Sequence, residues 1–158
     1  MQSETFQTYT KIGVTTGENN SRMVSVVHSL TLSADDLKKY YTCWEYGECQ
    51  DETSKKNLEG CIEKLNPKEF QSYFQFLSNN YYSFNSDSLD GKIKEYCTYD
   101  NDKKQDVFDK IMDADFGFLK KASDEGNEGT QSRITQTILC VYNVFQNLQS
   151  EGKCHKES

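Results

Sequence analysis

The stretch Asn66-Pro67-Lys68-Glu69-Phe70-Gln71-Ser72-Tyr73-Phe74-Gln75-Phe76-Leu77 decides the class of fold. Asn66 offers an N-cap acceptor, Pro67 takes the first helical position, where its missing N–H does no harm, and Glu69 completes a capping box. A helix therefore starts at Pro67. At about 100° per residue, Phe70, Tyr73, Phe74, Leu77 and Tyr81 share one stripe. Phe76 falls off that stripe, as does Tyr82 if the helix continues past Asn79-Asn80.

Upstream, Ser33 is a plausible N-cap with Asp35 and Asp36 in the first turn. Leu37, Tyr40, Tyr41 and Trp44 follow at i, i+3, i+4 and i+7, which predicts one continuous helix ending near Gly47. The next helix spans roughly 53–65, with Leu58, Cys61, Ile62 and Leu65 on one side. Downstream, a helix over about 87–98 groups Leu89, Ile93, Tyr96 and Cys97. Another over about 102–122 uses Val107, Ile111, Ala114, Phe118 and Ala122. Ser123 to Thr130, with Gly126 and Gly129 among acidic residues, reads as an exposed loop. A last helix over about 131–150 carries Ile134, Ile138, Val141, Phe145 and Leu148, and Gly152 is placed to cap it. A single proline argues against a turn-rich β-protein. The expected fold is all-α: one disulfide-stapled bundle of five to six amphipathic helices.

The chain has 158 residues, which fits one domain. Residues 1–22 are polar and rich in Thr and Gly, so a flexible N-terminal arm is expected there, with the helical cysteine-containing domain over 23–158. Met23 to Leu32, with Val24, Val26, Val27 and Leu30, reads as a short helix in preference to a strand. Asn19-Asn20-Ser21 makes Asn19 a candidate glycosylation site.

Six cysteines, Cys43, Cys49, Cys61, Cys97, Cys140 and Cys154, form no Cys-x-x-Cys pair, so disulfides explain them better than zinc or redox chemistry. Fifteen pairings are open to them. Cys140 and Cys154 would lie about 21 Å apart on a continuous helix, which favours longer-range bridges over that pair. Oxidised cysteines place the protein in an extracellular compartment. The sequence begins Met1-Gln2-Ser3-Glu4, which fits a mature form whose signal peptide has been removed. No stretch approaches the roughly 18 apolar residues of a membrane span, so no membrane insertion is expected.

A net charge of −7 without a basic cluster opposes nucleic-acid binding. His28 and His155 show no ligand spacing, and no metal, cofactor or catalytic residue is implied. Ser86 to Ile93 echoes a calcium loop around Gly91, but Cys97 stands where the bidentate glutamate belongs. The carboxylate pairs Asp35/Asp36, Asp113/Asp115 and Glu125/Glu128 read as solvated charges. In helicity and cysteine number the chain resembles insect odorant-binding proteins, but the eleven residues between Cys49 and Cys61 far exceed that family's spacing, so no residue roles transfer.

What stands out is the density of rings after Pro67. Tyr73, Phe76, Tyr81 and Tyr82 are the candidate contacts for a partner or ligand. The expected function is that of a secreted, non-enzymatic binding protein acting on a protein partner or extracellular assembly; the alternative is a carrier for a small hydrophobic ligand held in a helical cavity.

Overall fold

The computed structural model describes residues 31–157, of which 34–157 belong to the second of two compact units, Ala34–Ser158. The expected arm, the segment Met23–Leu30, the sequon at Asn19, and His28 lie outside the described residues. The described residues form seven helices: α1 (Ala34–Lys38), α2 (Tyr41–Cys49), α3 (Glu52–Ile62), α4 (Pro67–Asn80), α5 (Leu89–Cys97), α6 (Asn101–Asp124) and α7 (Glu128–Ser150). The protein is thus all-α, as its capped and periodic segments require.

Five of the helix starts are set by side-chain caps. Asp51, Asn66, Ser88, Asp100 and Asn127 each accept a backbone N–H from the first turn of α3, α4, α5, α6 and α7, respectively. At Asn66 the capping box is complete, with Glu69 returning a bond to the Asn66 N–H at 3.0 Å. The long helices α6 and α7 form a hairpin whose turn is only Glu125 to Asn127, shorter than the loop expected from 123 to 130. Gly126 makes this possible by taking a φ of 72°, so that Asn127 N–H reaches the Ala122 carbonyl at 2.9 Å in a Schellman closure.

Helix α2 occupies the centre and packs on α3, α5, α6 and α7. Its buried side chains Tyr41 and Trp44 meet Tyr96, Phe108 and Phe145. Trp44 lies 5.5 Å from Phe108 and 6.5 Å from Phe145, ring centre to ring centre, and Tyr40 stacks on Phe145 at 5.7 Å. These large rings fill the middle of the bundle and compensate for a modest aliphatic content. Their hydroxyls are satisfied at the edges: Tyr41 donates to Asn101 Oδ1 at 2.8 Å, and Tyr96 to the Lys104 carbonyl at 2.7 Å.

Two local readings change. The helix expected from residue 33 to Gly47 is broken at Lys39-Tyr40, and α2 continues through Gly47 to Cys49. Gly47 is a packing position: a Cβ there would stand 2.9 Å from Leu58 Cδ1, so its hydrogen lets α2 and α3 approach closely.

All six cysteines are paired, as Cys43–Cys154, Cys49–Cys97 and Cys61–Cys140. The bridges tie α2 to the C-terminal segment, α2 to α5, and α3 to α7. Their sequence separations of 111, 48 and 79 residues are all long-range. Cys43 and Cys61 are fully buried.

Candidate binding surface

Helix α4 is amphipathic about two lines of rings, and it packs chiefly against α6. Of the four candidate contacts, three converge on α6. Tyr73 and Phe76 lie 5.6 and 5.5 Å from Phe118, and Tyr81 closes over Phe76 at 5.7 Å. Gly117 is the floor of this contact, because a Cβ there would meet the Tyr81 hydroxyl at 2.6 Å and Phe76 Cζ at 3.3 Å. Phe76, off the sequence stripe, is therefore an inter-helix contact.

Tyr82 departs from this group because α4 ends at Asn80 and the chain turns. It packs on Phe84 at 4.9 Å and shares a 2.7 Å hydroxyl contact with Tyr99. Tyr99 in turn donates to Glu95 at 2.6 Å, and the Asn85 and Ser86 N–H groups bond the other Glu95 oxygen. A single carboxylate thus pins the α4–α5 loop, and these bonds hold Glu95 below its ordinary value against the opposing effect of burial.

The second line of α4 holds Phe70 and Phe74, edge to face at 4.8 Å and both half-buried. The Lys92 ammonium lies 4.8 Å over the Phe74 ring and donates to the Ser86 and Asp87 carbonyls at 2.9 Å each. The loop that echoed a calcium site is filled by the chain's own cation. Phe70, Phe74, Tyr82 and Phe84 are partly exposed residues.

Three carboxyls are shifted far from their ordinary values. Asp115 accepts the Tyr73 hydroxyl at 2.5 Å, and burial pushes its carboxyl up to about 7 although the residue retains a little exposure. Its reading as a solvated charge is thereby corrected; its neighbour Asp113 does pair with Lys38, at 2.9 Å. Glu48 is 5 % exposed, its Oε1 has no hydrogen-bond partner among the described residues, and burial raises it to about 8. Glu69 goes the other way. Two Arg133 nitrogens grip it, with Nε at 2.8 Å and Nη2 at 2.7 Å, the Thr130 hydroxyl adds a bond, and it falls to about 2.

A sequence signal for the first two existed. Glu48 continues the Leu37, Tyr41, Trp44 stripe by one more turn, and Asp115 lies on the line from Phe108 through Met112 to Leu119.

An open cleft of about 360 Å³ lies between the start of α4 and the α6–α7 turn. Lys68, Glu69, Lys121, Asn127 and Arg133 give it largely polar walls over a floor of Phe118 and Ala122. Neither Glu48 nor Asp115 lines it. Among the described residues no helix is long and apolar enough to cross a membrane. Compared with known proteins, the chain matches no family model, no curated protein and no solved structure.

Proposed function

We propose that the chain is a secreted, non-enzymatic interaction protein that binds a protein partner or extracellular assembly through its surface. The observation that carries this reading is the filling of the bundle centre by Tyr40, Trp44, Phe108 and Phe145, packed ring to ring. A carrier needs apolar space at that position. Complete pairing of the cysteines supports an oxidising, extracellular setting. The contact surface is the outer edge of α4 and the loop after it, where Phe70, Phe74, Tyr82 and Phe84 are half-exposed.

A photoreactive residue at position 74 tests this, with Gln136 on an exposed face of α7 as the control position. In extracellular fluid from the source, position 74 should give a discrete crosslink that excess unlabelled protein competes away, and position 136 should not. Equal labelling at both positions removes the surface from the reading. Saturable displacement of an apolar fluorescent probe by small hydrophobic molecules would favour the carrier instead.

A further inference from the structure

The break between α1 and α2 coincides with the place where the C-terminal segment is fastened. In a continuous helix the Cys43 N–H would donate to the Lys39 carbonyl, four residues back. Here it turns to the Tyr40 carbonyl at 2.9 Å, and the Lys39 carbonyl instead accepts the Glu157 N–H at 2.8 Å. Tyr40 is left at φ −101° and ψ 26°, outside helical geometry. Two further bonds hold the segment: the Thr42 hydroxyl donates to the His155 carbonyl at 2.5 Å and accepts the His155 N–H at 3.2 Å. The Cys43–Cys154 bridge fastens it covalently.

The sequence by itself encodes no break. Leu37, Tyr40, Tyr41 and Trp44 keep helical spacing across Lys39, and no proline or glycine lies between Ser33 and Trp44. At the break the Lys39 carbonyl is occupied instead by Glu157, a residue far away in sequence.

We propose that residues 151–157 form a clasp that holds α1 and α2 apart as two helices, and that unclasping joins them into one helix over 34–49. In the joined state the amide of residue 43 recovers the Lys39 carbonyl. The five residues of α1 swing away from α6, separating Lys38 from Asp113 and withdrawing Leu37, which is fully buried in the bent form. The segment 151–157 thereby controls whether α1 lies on the bundle.

Hydrogen-bond scalar couplings in NMR identify each donor and acceptor directly. In the native protein the position 157 amide should couple to the Lys39 carbonyl and the position 43 amide to that of Tyr40. Two variants loosen the clasp. Thr42→Val with Glu157→Pro removes the amide donor and the Thr42 bonds but keeps all three disulfides; Cys43→Ser with Cys154→Ser removes the covalent tie. In both, the position 43 amide should acquire a coupling to the Lys39 carbonyl, and the Lys38 and Asp113 side chains should lose their mutual contact. Retention of the Tyr40 pairing would overturn the clasp and assign the bend to the packing of α1 on α6. If the cysteine variant does not fold, the Thr42→Val, Glu157→Pro variant decides alone.

Discussion

Glu48, Asp115 and Glu69 give the protein's stability opposite dependences on pH. Glu48 rises from 4.5 to about 8 on folding, so between those values the folded protein holds a proton that the unfolded chain has released. Its contribution is complete below pH 4.5 and is lost as the pH climbs through 8. Asp115, raised to about 7, acts in the same sense. Glu69, lowered to about 2, contributes above pH 4.5 and loses its contribution as the pH falls through 2. Stability should therefore be greatest in mildly acidic solution. Denaturant titrations at a series of pH values should show a decline on the order of 2–4 kcal/mol from pH 5 to 8. Glu48→Gln should remove roughly half of that decline and leave the part due to Asp115, whereas Glu69→Gln should leave it and remove the loss at low pH. A Glu48→Gln protein with the parent's slope would show that other groups set the alkaline limb. Packing makes an independent prediction at Gly117. A methyl group there meets Tyr81 and Phe76, so Gly117→Ala should cost about 1–3 kcal/mol, read as a lower denaturation midpoint at unchanged m.

Among the elements, α4 is the most legible because everything that makes it a helix is local. Its cap, proline and capping-box glutamate sit within four consecutive residues, and the helix begins where they indicate. Removing the cap acceptor with Asn66→Ala should destabilise the protein by about 0.5–2 kcal/mol and increase amide exchange in the first turn of α4. The ring surface proposed for binding depends on that turn, since Phe70 is the first ring of the outer line. Legibility fails wherever the deciding atom lies far off in sequence. Spacing around Tyr40 predicts one helix, whereas at the break the Lys39 carbonyl is taken by the amide of Glu157, far off in sequence. Gly47 resembles a C-cap, yet it is needed for the approach of Leu58 from α3. Phe76 falls off the stripe because a stripe describes one contact, while α4 lays its rings both on α6 and along its outer edge. Of the four candidate contacts, Tyr82 lies off the stripe only if the helix runs past Asn79-Asn80; α4 ends at Asn80, and the tie of Tyr82 to Tyr99 and Glu95 crosses the loop and leaves no local pattern.

At the scale of the whole molecule, the cysteine count implied staples and the structure supplies their connectivity. Cys49–Cys97 and Cys61–Cys140 interleave along the chain, and Cys43–Cys154 encloses both, so reduction frees most of the sequence at once. Each bridge is worth about 2–4 kcal/mol through the unfolded state, against a net stability of roughly 5–15 kcal/mol for a domain. A thiol reductant should therefore lower the melting temperature steeply, and an unchanged melt would refute stapling. The order among the bridges is more discriminating. Loop lengths of 111, 79 and 48 residues differ in closure entropy by less than about 1 kcal/mol, with the longest loop nominally the strongest. The native ends of the bridges differ more. Cys61–Cys140 joins α3 and α7, which also pack on each other directly, so the folded state should gain little freedom from its loss. Cys43–Cys154 fastens the segment 151–157, and cutting it lets the folded state gain the freedom of that segment and of the α1 helix it holds, offsetting part of the loss. Replacing Cys43 and Cys154 by alanine should thus lower the melting temperature less than replacing Cys61 and Cys140, the reverse of the order that loop length alone gives. Matched thermal melts of the two double variants decide it: a larger drop for the Cys43, Cys154 pair would mean that the segment 151–157 is integral to the core and does not detach locally.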